Sequence, residues 1–250
     1  MTFIEVIALF IGGSVAGALN TLASSGSAVT LPLLIFLGIP PGIANGTNRI
    51  SVLAGSLFGV ISFAQAKAIP WRKTYLLSLP LVAGTAIGAG VATQLGDDNI
   101  QFIVNLAIIT ALIMLIVGSK KFISKIKTEQ NNENPIIYIA LFFVGLWTGL
   151  IVLDSATYML LALVMLSSMD VTQANPIKSV FLLTASIISV PIFLSQGQIA
   201  WIPGIVLALG SSIGSWWAAR LAIKKWIKKW IYYLLVFVIG CELILSLIHI

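Results

Sequence analysis

Between Thr74 and Leu95 the chain runs for 22 residues without a charged side chain, and Ile100 to Gly118 and Ile136 to Leu153 are uncharged over 19 and 18 residues. At 1.5 Å per residue such a run as a helix reaches about 30 Å, the thickness of a bilayer's hydrocarbon core. Backbone in lipid must satisfy its own hydrogen bonds, which leaves helices or a closed barrel, and these runs have helical length rather than short alternating strands. Composition agrees: 59% hydrophobic, 9% charged and a mean hydropathy of +1.06 exclude a water-soluble domain, in which about a quarter of residues are charged. The expected fold is an all-α polytopic membrane protein. The lone cysteine, Cys241, excludes an internal disulfide and a cysteine metal cluster, and no cofactor is implied. Met1 to Leu19 reads as a first membrane segment rather than a cleaved signal peptide.

The order of the runs suggests a duplication. Phe3 to Leu19 breaks at Asn20 to Ser27, and the following run, Val29 to Leu37, spans only about half the core before Gly38-Ile39-Pro40-Pro41-Gly42 ends it. Irregular backbone at membrane depth survives only under protein cover or beside water, so residues 3–37 read as a broken or re-entrant hairpin. Three spans follow, at Asn48 to Ala64, Thr74 to Leu95 and Ile100 to Gly118. After a polar linker the pattern returns: a hairpin of Ile136 to Leu153 and Thr157 to Leu166 interrupted at Asp154-Ser155, then spans at Ile177 to Leu194, Trp201 to Ala222 and Trp230 to Leu247. At an offset of 130, Asn45 meets Asn175, Ser56 meets Ser186 and Trp71 meets Trp201, while Gly84 to Gly88 resembles Gly210 to Gly214. We expect two transmembrane repeats, residues 1–118 and 136–250, joined by a cytoplasmic linker over 119–135.

Charge orients them. If each hairpin returns to its own side, every repeat makes an odd number of crossings and the two are inverted. Lys67, Arg72 and Lys73, then Lys120, Lys121, Lys125 and Lys127, then Arg220, Lys224, Lys225, Lys228 and Lys229 then share one face, cytoplasmic by the positive-inside rule. The opposite face carries Asp97 and Asp98, and both termini fall on it, away from the cytoplasm. The positive excess is thus topological and no nucleic-acid footprint. The basic, aromatic stretch from Lys224 to Tyr233 suits anionic membrane lipid.

Those loops hold 12 of the 14 basic residues; Arg49 and Lys178 remain. A charge within a span is costly, about 2.5 to 3.5 kcal/mol on insertion scales, and marks a functional position. Asn45-Gly46-Thr47-Asn48-Arg49 and Asn175-Pro176-Ile177-Lys178 both read as first helical turns with a capping asparagine, each holding one cation. Either the cations snorkel or pair with acids such as Asp154 and Asp170, or they converge with two positive helix ends on an anion. The second reading makes Arg49, Lys178, Asn45, Thr47, Asn48 and Asn175 binding candidates. Ser24, Ser25 and Ser27 at one break, and Ser155 and Thr157 at the other, add hydroxyls for oxyanion oxygens. Asp154 is a coupling or charge-balancing candidate, able to carry a proton or to neutralise Lys178.

Gly17 to Leu34, with Gly38-Ile39-Pro40-Pro41 and Ala44-Asn45-Gly46-Thr47-Asn48 after it, resembles the signature of the sulfite exporter TauE/SafE family of bacterial membrane permeases. The common pattern is richer in glycine around Ser24 to Ser27 and reads Thr-Ser where this chain has Thr47-Asn48. The resemblance implies a secondary transporter exporting a small sulfur oxyanion or an organosulfonate such as sulfoacetate. The residues alone also admit an anion channel or a cation-coupled importer of a small organic anion. An enzyme is not expected: the single histidine, His249, stands next to the last residue, and no acidic pair has metal-ligand spacing.

Overall fold

The computed structural model describes residues 1–22, 26–107, 134–167 and 169–222. The regular elements among the described residues are helices: α1 (Phe3–Leu22), α2 (Ser27–Phe36), α3 (Pro41–Gln65), α4 (Trp71–Ala92), α5 (over residues 97–107), α6 (Ile136–Leu150), α7 (Ser155–Leu166), α8 (Val171–Ser195) and α9 (Trp201–Ala222). Five of these, α1, α3, α4, α8 and α9, are long and apolar enough to cross a bilayer, and the chain is a multi-pass membrane protein. Ser24, Ser25, residues 108–118 of the expected span at Ile100 to Gly118, the linker lysines, the Lys224 to Tyr233 stretch and the expected span at Trp230 to Leu247 lie outside the described residues.

The spans sit where the apolar runs put them, but two begin earlier than their asparagines suggest. α3 starts at Pro41, with Pro40 as N-cap, so Asn45 is inside the helix and Arg49 lies in its third turn. Proline at the first helical position is preset for the helix and has no N–H to leave unbonded. The N–H of Gly42 donates to Asp97 Oδ1 at 2.9 Å, so the acid that opens α5 caps α3. α8 starts at Val171 behind a capping box, in which Asp170 accepts from Gln173 N–H and the Gln173 side chain accepts from Asp170 N–H. Asn175 and Pro176 are therefore interior to α8, and neither asparagine is an N-cap. The first break is also shorter than expected, since α1 continues through Leu22.

α3 and α8 form the centre. Their most apolar windows are 61% and 56% buried, against 33% for α1 and 39% for α9. The outer helices turn Phe3, Ile4, Leu79, Ile202, Leu209 and Trp217 outward, an apolar surface suited to lipid. α3 packs on α8 and α9, and α8 packs also on α4.

Two close glycine seams clamp this centre. Gly13 and Gly17 of α1 lie against the backbone of Leu207 and Ser211 of α9, while Gly210 and Gly214 of α9 lie against Phe10 and Ser14 of α1. On the other side Gly145 and Gly149 of α6 meet Leu81 and Thr85 of α4, and Gly84 and Gly88 of α4 meet Phe142 and Leu146 of α6. Each contact in one seam has a counterpart in the other. In hydrocarbon, where apolar side chains gain nothing by leaving lipid, such close backbone approach is what holds helices together. The ends of α3 and α8 match as well. Lys67 (φ 54°) and Gly197 (φ 68°) are left-handed closing residues, and the N–H groups of Ala68 and Gln198 donate to Phe63 and Phe193 carbonyls, both at 3.0 Å.

A methyl added at Gly88 would overlap the Leu146 carbonyl, whereas one at Gly90, two residues on, meets nothing within 4 Å. Gly88→Ala is expected to lower stability by about 1 to 3 kcal/mol. Gly90→Ala is expected to raise it by up to about 1 kcal/mol through helix propensity. Thermal unfolding of the two variants in detergent checks the opposite signs.

Candidate functional site

α6 stops at Leu150, inside the protein, because the chain turns extended at Ile151 and Asp154 takes a left-handed conformation (φ 58°) before α7 begins. That conformation costs a non-glycine residue about 1 to 2 kcal/mol, and Asp is among the few that adopt it readily. Ser155 donates its hydroxyl to the Val152 carbonyl and so stays within the break. Ile151 to Ser155 are all buried, so the carbonyls at the end of α6 need partners from elsewhere in the protein.

Arg49 and Asn45 supply them from α3. Arg49 Nη1 donates to Thr148 O at 3.0 Å and Nη2 to Gly149 O at 2.6 Å, while Asn45 Nδ2 donates to Leu150 O at 2.8 Å. The guanidinium lies 4.3 Å from the Phe193 ring centroid, a cation–π contact from α8. Arg49 thus stands at the C-terminal, negative end of α6, where a helix dipole favours a cation, and not at the positive end expected from the sequence. Asn175 does for α1 what Asn45 does for α6, its Nδ2 donating to Leu22 O at 3.4 Å. The two asparagines therefore cap the broken helices from outside.

The other candidates divide between the two breaks. Thr30 of α2 donates to Asn48 Oδ1 at 2.6 Å, and Ser27, three residues before Thr30, shares its helix face, which brings Ser27, Thr30, Asn48 and Arg49 into one neighbourhood. Asp154, Ser155 and Thr157 belong to the start of α7, which packs on α8, the helix of Lys178. Arg49, Lys178, Asn48 and Asn175 are almost wholly buried. Arg49 Nε, Asn48 Nδ2, Ser27 Oγ and Thr157 Oγ1 are buried without a hydrogen-bond partner. At the offset of 130 the two cations are not equivalents: Arg49 corresponds to Ser179, and Lys178 to Asn48.

Thr47 has a different task. Its Oγ1 accepts the Ala200 N–H at 2.9 Å, just before α9. In the other half the corresponding residues are Ile177, which cannot accept, and Pro70, which has no N–H. The sequence signals for Thr30, Thr148, Gly149 and Phe193 were weak: each reads as an ordinary member of an apolar run.

The family model described as "Sulfite exporter TauE/SafE" matches residues 9–243. A "Probable membrane transporter protein" of Haemophilus influenzae is 28% identical over 221 residues, covering 87% of this chain and 85% of its own. "Probable membrane transporter protein ORF9" of Sinorhizobium sp is 24% identical over 219 residues, 87% and 83% of the two chains. "Probable membrane transporter protein YjnA" of Bacillus subtilis is 26% identical over 225 residues, 83% and 87%. No solved structure matches.

Thr47→Ile is expected to cost about 1 to 3 kcal/mol by leaving the Ala200 N–H without its acceptor. Ala200→Pro in that background removes the orphaned donor and is expected to recover most of the loss, as read by unfolding temperature. Matched over nearly its whole length, and with its two buried cations set among broken helices, the chain belongs to the sulfite exporter TauE/SafE family of membrane transporters.

Proposed function

We propose that this transporter carries a small sulfur-containing anion, sulfite or an organosulfonate, outward across the bacterial inner membrane, and that Arg49 and Lys178 are its charge-bearing contacts. The observation that carries the reading is a set of buried donors without partners: Arg49 Nε and Asn48 Nδ2 on α3, Ser27 Oγ at the start of α2 and Thr157 Oγ1 in the first turn of α7. Unsatisfied buried donors cost about 1 to 3 kcal/mol each, a cost that an oxyanion with several acceptor oxygens would relieve. Asn45, Asn175, Ser155 and Thr47 hold the surrounding backbone in place.

Residues 1–118 and 136–250 act as inverted repeats in this reading, with 119–135 as the cytoplasmic connection and both termini periplasmic. The matched glycine seams and matched ends of α3 and α8 support it. Alternating access then consists of one half rocking on the other, which a pair of small-residue seams permits with little side-chain repacking. Asp154 balances Lys178 while the substrate is absent, or carries a proton in exchange. The closure of the packing around Arg49 and Lys178 favours a carrier over an open channel.

Purified full-length protein in proteoliposomes is expected to move sulfite or sulfoacetate with saturating kinetics. Arg49→Gln and Lys178→Gln, kept only if they retain the wild-type elution profile, are expected to lose at least about tenfold of the flux, the scale set by removing one charged hydrogen bond. Undiminished flux in both variants would refute the site.

A further inference from the structure

A cavity of about 10 Å³ lies among α1, α3, α8 and α9, lined by Asn20, Thr21, Ser56, Ser179 and Ser215 with Val52, Gly55 and Leu182. Its volume admits one water-sized occupant. Every hydroxyl on its wall already donates elsewhere: Thr21 to Gly17 O at 2.9 Å, Ser215 to the same carbonyl at 3.0 Å, Ser56 to Leu53 O at 3.2 Å and Ser179 to Asn175 O at 3.1 Å. A hydroxyl whose proton is committed offers only lone pairs. Four of the five polar residues on the wall therefore present lone pairs, which favours an electron-poor occupant, while the fifth, Asn20, has its Oδ1 engaged by the Gly26 N–H at 2.9 Å; the cavity is not an extension of the site proposed above.

The other half shows what stands at the corresponding place. Gly17 and Gly149 are equivalents, because each lies against a matching carbonyl, Ser211 in α9 and Thr85 in α4. On the Gly149 carbonyl sits the guanidinium of Arg49. The residue corresponding to Arg49 is Ser179, too short to bring a charge, and next to the Gly17 carbonyl there is the cavity instead. One half has a cation tethered to its backbone; the other has room for a free one.

We infer that this cavity binds a monovalent cation, tested here as Na⁺, held by the oxygens of Thr21, Ser56, Ser179 and Ser215 near the end of α1. Neutral oxygens at a helix C-terminal end are a recurring setting for such ions. The lining holds no carboxylate, the group that divalent cations ordinarily require. Lys178 precedes Ser179, but consecutive helical side chains point about 100° apart, and Lys178 does not line the cavity.

The test uses full-length protein in detergent without any sulfur anion, so its outcome is independent of what the transporter carries. Unfolding temperature is measured in sodium, potassium and N-methyl-D-glucamine chloride at one ionic strength, with retention of radioactive sodium measured alongside. We expect a saturable rise and bound ion with sodium alone. Ser179→Ala and Ser215→Ala are expected to raise the half-saturating sodium concentration by at least about tenfold, by loss of one ligand oxygen each. Ser179→Arg, which installs the other half's solution, is expected to make stability independent of sodium. Equal unfolding temperatures in the three salts with no sodium retained would overturn the inference and leave the cavity to a single water. An unaltered sodium response in the alanine variants would overturn it too.

Discussion

A helix that stops inside a protein surrounded by lipid leaves carbonyl oxygens that water cannot reach, and the architecture of this chain is arranged around that problem. α6 ends at Leu150 and its last carbonyls are met by Arg49 and Asn45, residues about a hundred positions earlier. Because those donors stand on α3, the break in one half is fixed by the central helix of the other. The same holds in reverse, where Asn175 of α8 reaches the end of α1. The broken hairpins are thus cross-braced, and the glycine seams set α1 and α6 at the depth the braces need.

The bracing leaves Arg49 with one donor to spare. Two of its nitrogens hold α6, Phe193 covers its face, and Nε remains without a partner. A guanidinium can do both because its five donors fan out in a plane. Holding the break and meeting a substrate through one side chain would couple substrate arrival to the helix end that must move.

Much of this was legible before any coordinates. The apolar run lengths located the helices, and α9 matches its expected bounds at both ends. The breaks near Asn20 to Ser27 and at Asp154 were readable because polar residues interrupt runs too short to span. Helix starts were not, since an asparagine before an apolar run looks like a cap, yet Pro40-Pro41 and the Asp170-Gln173 box nucleate each helix earlier. The true task of Asn45 and Asn175 depends on carbonyls more than a hundred residues away, a relation no local pattern encodes. The pairing of Thr47 with Ala200 was present at the offset of 130 as Ile177 and Pro70, but only packing gives that substitution its meaning.

The most direct measurement is a density map of the full-length protein with selenite, a sulfite analogue whose selenium scatters anomalously. The account predicts one selenium peak within hydrogen-bonding reach of Arg49 Nε and Asn48 Nδ2, lost in Lys178→Gln or Arg49→Gln. A peak elsewhere in the bundle, or none at saturating selenite while transport of the same anion persists, would contradict it.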